Sequence, residues 1–345
     1  MTQKSLLAPL AWLALPCALI FAGCSKNLQP LDRPLTASNN SFGNGFGRAV
    51  AWDVTLPATA HSGAMEVTEW VSETGPAEHN ITTTTVDPGY VMVGGGAQVV
   101  DPNGNPNAVD AVLTAAFPIG DGTFSTYMAA DKDQGGITYY SYCYSYVIGI
   151  KLYNQSGAAL PTSSIIPHLV IDSVVSAVAD HPAVSLYVPS GYELLSGGAF
   201  DNYGSGYGNC LTRNDYNATE QYANAGGKDQ KEADPAAITC YVLAYDGQPI
   251  SGYTGTNGTN GTIQVNYAAG YIAVSSDLQG LTVFTTGNSA VAGLGGYSTY
   301  TGYGRLLYGV YAYSATASEF QSKDQDVTDI SGALQGSVTT ITPAP

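Results

Sequence analysis

Three Lys-Asp dipeptides carry the sharpest polar signal in the chain: Lys132-Asp133, Lys228-Asp229 and Lys323-Asp324, separated by 96 and 95 residues and each followed by glutamine (Gln134, Gln230, Gln325). A lysine beside a carboxylate suits two kinds of work. Lining a polar site, each pair would hold part of a ligand, and three copies would give avidity for a repetitive ligand such as a polysaccharide. In a scaffold, the aspartate closes a turn and the lysine makes a partly buried ion pair between the last two strands of a unit. A catalytic group normally occurs once per active site, so a pair kept in every copy points to scaffold or multipoint binding rather than to turnover. The second candidate is aromatic: Tyr297, Tyr300, Tyr303, Tyr308, Tyr311 and Tyr313 offer phenol rings that stack on sugars and hydrogen-bond at their tips, with Tyr300 and Tyr303 the expected contacts.

Other chemistry finds little support. Gly94-Gly95-Gly96 lacks the following helix and Lys-Ser/Thr of a phosphate loop and is better read as a β-bulge. His61, His79, His168 and His181 have no second histidine or cysteine at ligand spacing, and the loop Asp101 to Asn107 lacks the closing Glu of a calcium loop, so neither a metal site nor a cofactor is expected. Nucleophile elbows and His-Glu-x-x-His are missing from the sequence. A carboxylate pair of the glycosidase type, invisible to sequence spacing, keeps a secreted hydrolase as the alternative.

The elements that must place these residues recur with them. Gly89-Tyr90-Val91-Met92-Val93-Gly94-Gly95-Gly96-Ala97 returns as Gly191-Tyr192-Glu193-Leu194-Leu195-Ser196-Gly197-Gly198-Ala199, and more faintly as Gly293-Leu294-Gly295-Gly296-Tyr297. Leu113-Thr114 is mirrored by Leu211-Thr212, His79 by His181, and Tyr146-Val147-Ile148 by Tyr241-Val242-Leu243. Between them run β-branched and aromatic stretches bounded by turn residues, which predict strands. Asp87-Pro88-Gly89 predicts a turn, and Ser163 to Val178 predicts a strand pair. With units of about 95 to 100 residues, one domain each, the expected fold is all-β: three tandem antiparallel sandwiches or small barrels, at 46–155, 156–250 and 251–345. The alternative is a single pseudo-threefold prism or propeller to which each unit gives one sheet. The motif set of Gly-Tyr, Gly-Gly-Gly-Ala, Leu-Thr and Lys-Asp resembles an uncharacterised repeat of bacterial secreted proteins, which implies a fold and no particular activity.

Residues 1–23 combine Lys4, an apolar run from Leu6 to Phe21 and small residues, the pattern of an export signal. Ile20-Phe21-Ala22-Gly23-Cys24 resembles the lipobox of bacterial lipoproteins. That resemblance implies a lipidated Cys24, and Ser25 after it implies the outer membrane. Two or three acyl chains would anchor the chain stably, with 24–45 as a flexible tether. The net charge of −16, from 11 Lys and Arg against 27 Asp and Glu, argues against nucleic acid and anionic surfaces as partners. Of the five cysteines, Cys17 leaves with the signal and Cys24 takes the lipid. Cys210 and Cys240 are then the expected disulfide, with Cys143 a buried thiol. The combined expectation is a non-catalytic, lipid-anchored envelope protein whose repeated modules bind or organise extracellular glycan or protein, or self-assemble.

Overall fold

The computed structural model describes residues 52–56, 65–102, 111–133, 140–202, 209–217, 219–229, 233–254, 260–274, 278–285, 289–299, 305–324 and 332–344. The signal, Cys24, the tether, His61, Tyr300, Tyr303 and the three glutamines after the Lys-Asp pairs lie outside them.

The described chain is built of antiparallel strands. After a leading strand β1 (Trp52–Leu56), unit 1 contributes β2 (Met65–Ala77), β3 (Ile81–Thr85), β4 (Val91–Val100), β5 (Ala111–Pro118), β6 (Thr126–Asp133) and β7 (Ser141–Leu152). Unit 2 repeats the six as β8 (Leu169–Val175), β9 (Ala183–Tyr187), β10 (Glu193–Asp201), β11 (Asn209–Asn217), β12 (Tyr222–Asp229) and β13 (Ile238–Tyr245). Unit 3 does so as β14 (Thr262–Ala273), β15 (Leu278–Phe284), β16 (Ala290–Thr299), β17 (Arg305–Ser314), β18 (Ala317–Asp324) and β19 (Ala333–Ala344).

The sheets do not follow the units. Sheet I runs β1-β2-β7-β4-β17-β18-β15, sheet II β3-β6-β5-β10-β13-β8, and sheet III β14-β19-β16-β11-β12-β9. Each sheet therefore takes the first, sixth and third strands of one unit and the fourth, fifth and second of the unit before it, with unit 3 preceding unit 1. Two residue pairs stitch every junction: Ala97↔Val310 with Gln98↔Gly309, Ala199↔Ala116 with Phe200↔Ala115, and Gly296↔Asn214 with Tyr297↔Arg213. The expected all-β fold of repeated antiparallel sheet modules is present, with no sheet closed into a barrel and each sheet drawn from two units. Within a unit two layers do face each other, as the bonds Thr82 Oγ1 to Cys143 O (3.0 Å), Thr84 Oγ1 to Ser145 O (2.7 Å) and Ser145 Oγ to Tyr127 O (3.0 Å) show. Every layer, however, continues into a neighbour, and one apolar core contains residues of all three units. The three form one closed pseudo-threefold body in which each sheet is shared between two units.

Two bulges per unit produce this sharing. In β4, β10 and β16 the register skips Val93, Leu195 and Ala292, and in β5, β11 and β17 it skips Thr114, Thr212 and Tyr308. An extra residue bends a strand and sharpens its twist, which swings each strand off its own unit and onto the next. The recurring Leu-Thr pair is thus the second bulge, continued in unit 3 as Leu307-Tyr308. The first bulges meet at the axis with no room to spare: a Cβ on Gly94 would lie 2.1 Å from the Ala292 carbonyl oxygen, and one on Gly293 would lie 2.1 Å from that of Leu195. The bulge also corrects the glycine alignment of unit 3. Gly96, Gly198 and Gly295 share the position one residue before the junction pair, so Gly295 corresponds to Gly96 and not to Gly95.

Other local expectations fare unevenly. The turns at Gly89 (φ +92°) and Gly191 (φ +87°) need glycine for their left-handed backbone, closed by Tyr90 N–H to Asp87 O and Tyr192 N–H to Pro189 O, each 3.1 Å. The stretch from Ser163 to Val178 is not a strand pair: 3-10 turns at Thr162–Ser164 and Ile166–His168 precede the single strand β8, with Pro161 and Pro167 favouring turns over ladder pairing.

The Cys210–Cys240 disulfide is also corrected. Cys143, Cys210 and Cys240 are all free and buried. Cys210 lies on β11 of sheet III, packed on Val112 and Leu306, whereas Cys240 lies on β13 of sheet II in the main core. Burial pushes the Cys240 thiol up to about 12 and the other two above their ordinary range. Because the thiolate is the reactive form, none of these three is expected to react with a thiol reagent at neutral pH in the folded chain, and all three are expected to react in denaturant. Rapid labelling without denaturant would contradict the burial.

Candidate functional site

The Lys-Asp pairs occupy equivalent places, as the last two residues of β6, β12 and β18. Across the ladder Lys132 faces Val112, Lys228 faces Cys210 and Lys323 faces Leu306. Those three partners form a cluster of their own, so the motif of all three units converges on one end of the axis. Lys132 is 1% exposed, and Lys228 and Lys323 are each 6% exposed. Burial lowers the Lys228 ammonium pKa, opposed by Asp229 and Cys210, while Lys132 and Lys228, from different units, both favour the Cys210 thiolate. Three separate exposed sites are therefore not what these residues build.

The aspartates turn elsewhere. Asp133 Oδ1 lies 3.4 Å from His79 Nε2, and Asp229 Oδ1 lies 3.1 Å from His181 Nε2. Lys228 Nζ donates to its neighbour's carbonyl, Asp229 O, at 3.1 Å, and stands 3.9 Å from Oδ1. The recurring histidines of units 1 and 2 are partners of the recurring aspartates, joining the second strand to the fifth. Among the described residues no group of three His, Cys, Asp or Glu is placed to hold a metal ion. The aromatic expectation is likewise redistributed: Tyr308 and Tyr311 are buried, and Tyr297 stands partly open on sheet III.

Sheet III brings together what sequence spacing does not. On its face turned away from the core, the ladder aligns Tyr271, Gln335, Tyr297, Arg213 and Gly226 in one row across five strands. One step along, Ala269 and Ser337 pair on β14 and β19, and Asp215, Asn224 and Ser185 line up on β11, β12 and β9. A further step brings Tyr267 on β14 and the pair Tyr222 and Tyr187 on β12 and β9. The middle row is small or polar, with Ser185 exposed but Asp215, Asn224 and Ser337 buried, and tyrosines flank it on both sides. Tyr187 and Tyr271 are 66% and 65% exposed and Tyr267 38%.

The polar groups of this face are fixed to one another. Arg213 Nε donates to Asp215 Oδ1, with Nη2 to Oδ2 at 3.3 Å, and the guanidinium lies 4.4 Å from the Tyr297 ring centroid. Burial works to lower the Arg213 pKa, but the bond and charge of Asp215 outweigh it and raise it. Burial raises that of Asp215 against the pull of Arg213 and Asn224. Ser185 Oγ donates to Asn224 Oδ1 at 2.6 Å, and Tyr267 Oη donates to Ser337 Oγ at 3.4 Å. Tyr187 and Tyr222 pack at a tilt of 53° with centroids 5.2 Å apart. A rigid arginine-aromatic-carboxylate cluster set among half-open phenols can stack on flat apolar ring faces and hydrogen-bond at their rims.

The equivalent junctions of the other sheets have different chemistry. Sheet II presents Phe117 between Phe200 (5.4 Å) and Tyr241 (4.6 Å), an apolar face. Sheet I stacks Tyr146 on Tyr311 at 5.5 Å, both buried, and closes them with Gln98, Glu319 and Gln321. Apart from Tyr297, the residues of this face were missed in the sequence because they come from six strands in two units. Arg213 and Asp215, alternating on one strand, were the available signal. No protein-family model and no curated protein sequence matches the chain.

Proposed function

We propose that the chain is a non-catalytic binding protein of the bacterial envelope, held by a lipid on Cys24, whose sheet III face takes a neutral glycan chain. The observation that carries the reading is the group of half-open tyrosines Tyr187, Tyr222, Tyr267, Tyr271 and Tyr297 on one face, with Ser185 exposed among them and Asn224, Asp215 and Ser337 buried beneath as a polar floor. Sugar rings offer apolar faces and hydroxyl rims, which match phenol faces and amide, hydroxyl and carboxylate groups. With strands about 4.8 Å apart, the six strands span about 24 Å, enough for several rings in a row. Asp215 already neutralises Arg213, and the chain's charge of −16 disfavours acidic polysaccharides. The lipobox resemblance supports the anchor and places this face outside the cytoplasm.

A glycan array probed with the purified chain tests the proposal. Retention of uncharged oligosaccharides is expected, weakened about tenfold by each of Tyr222→Ala and Tyr271→Ala, the loss of about 1.4 kcal/mol of stacking. A folded chain that retains no glycan would refute it, and so would release of shortened sugars during the incubation.

A further inference from the structure

We infer that β14 is a pairing edge for a second copy of this chain, joining two sheets III antiparallel about a twofold axis. The pseudo-threefold topology supplies the comparison. The first strand of each unit lies toward the edge of its sheet, at β2, β8 and β14. In sheet I that edge is covered, because β1 pairs with β2 from Trp52↔Glu69 to Leu56↔Met65. In sheet II the edge strand β8 is seven residues long and carries Asp172, a charge that discourages strand addition. In sheet III the edge strand β14 is twelve residues, Thr262–Ala273, with no charged residue and no proline. It pairs with β19 over its whole length without a register shift, so no bulge turns its outer backbone groups away. Short length, charge, proline, bulge and covering strand are the devices that protect sheet edges; among the described residues no strand pairs with the outer edge of β14, and beyond Ile263, whose N–H reaches Tyr245 Oη at 3.5 Å, the strand carries none of the others.

A second copy suits this edge because the strand itself is uncharged, although the net charge of the chain opposes contact elsewhere. Two chains of −16 each repel over most of their surfaces, and β14 offers a long contact on which neither copy brings a carboxylate. Self-pairing of one patch is also the commonest closed arrangement of identical chains. The joined sheets would have twelve strands and would set Tyr267 and Tyr271 of both copies on one continuous face. The pairing itself does not depend on what that face binds.

Light scattering on the purified chain is expected to give a dimer, and the double variant Gln264→Lys with Ala269→Lys, both at exposed positions, a folded monomer with unchanged circular dichroism. Amide exchange across 262–273 is expected to slow as wild-type concentration rises, and to stay fast and concentration-independent in the variant. A wild-type chain that is monomeric at every accessible concentration would overturn the inference. So would a dimer that survives both lysines, or one whose β14 amides exchange as fast as the variant's.

Discussion

Gly94→Ala is expected to be among the most damaging single substitutions in the chain, although it adds one methyl group. The new Cβ would lie 2.1 Å from the Ala292 carbonyl oxygen and 3.0 Å from Ser196 Oγ. The first contact is backbone against backbone, so no rotamer change relieves it. Relief needs β4 and β16 to separate at the axis, where Val93, Leu195 and Ala292 are all fully buried. Overpacking of this kind costs about 3 kcal/mol, and for a body of this size that lowers Tm by about 5 °C. Unit 2 supplies the control, because Ser196 holds the equivalent position and already carries a Cβ. Ser196→Gly is expected to change Tm by no more than about 2 °C, which corresponds to about 1 kcal/mol. Calorimetry on the two variants decides the matter: equal, small shifts would mean that the axis is looser than the 2.1 Å approach indicates.

The same glycines show how far the sequence could be read. Strand content, the three-unit repeat, the Gly89 turn and a bulge near Gly94 are local features, and local pattern carries them. Which unit a strand pairs with laterally is not local. Period-two alternation looks the same whether β5 continues into its own sheet or into β10 of the next unit. That is why three sandwiches and one closed body were both compatible with the residues. The Cys210–Cys240 pairing failed for the same reason, since 30 residues of separation say nothing about β11 and β13 belonging to different sheets. In unit 3 the double glycine misled by one position because Leu294 stands where units 1 and 2 carry Gly95 and Gly197, and Gly296 where they carry Ala97 and Ala199. The Lys-Asp pairs were legible as a recurrence, but only their cross-strand partners Val112, Cys210 and Leu306 reveal that they gather at one end. The tyrosine face was the hardest to see, because its members are aligned by ladder register and not by spacing along the chain.

A pH dependence of unusual sign is expected from Asp131. Its carboxylate is buried beside the axis-end lysine of its own strand and accepts from Asn80 N–H (2.7 Å), Asn80 Nδ2 (3.1 Å) and Ser141 Oγ (2.8 Å). Burial pushes it up to about 7 from 3.8; these bonds pull it down and Asp133 adds to the rise. Below about pH 4 the group is protonated folded or unfolded and contributes no difference. Between about 4 and 7 the unfolded chain releases the proton while the folded chain keeps it, so folding loses up to about 1.4 kcal/mol for each pH unit climbed. The accumulated loss of about 4 kcal/mol is complete by about pH 7 and constant above it. This is the reverse of an ion-paired aspartate, whose stabilisation grows as pH rises toward about 4 and is constant above it. Asp131→Asn keeps an oxygen for the Asn80 donors and an amide for the Ser141 hydroxyl but removes the titration. Urea midpoints of wild type and variant are therefore expected to converge toward pH 4 and to diverge as pH rises, with the variant the more stable near neutrality. Gly227 and Ser322 stand at the equivalent positions of β12 and β18, so neither neighbouring unit can supply the effect. Parallel wild-type and variant curves across this range would mean that the three donors hold Asp131 ionised despite its burial.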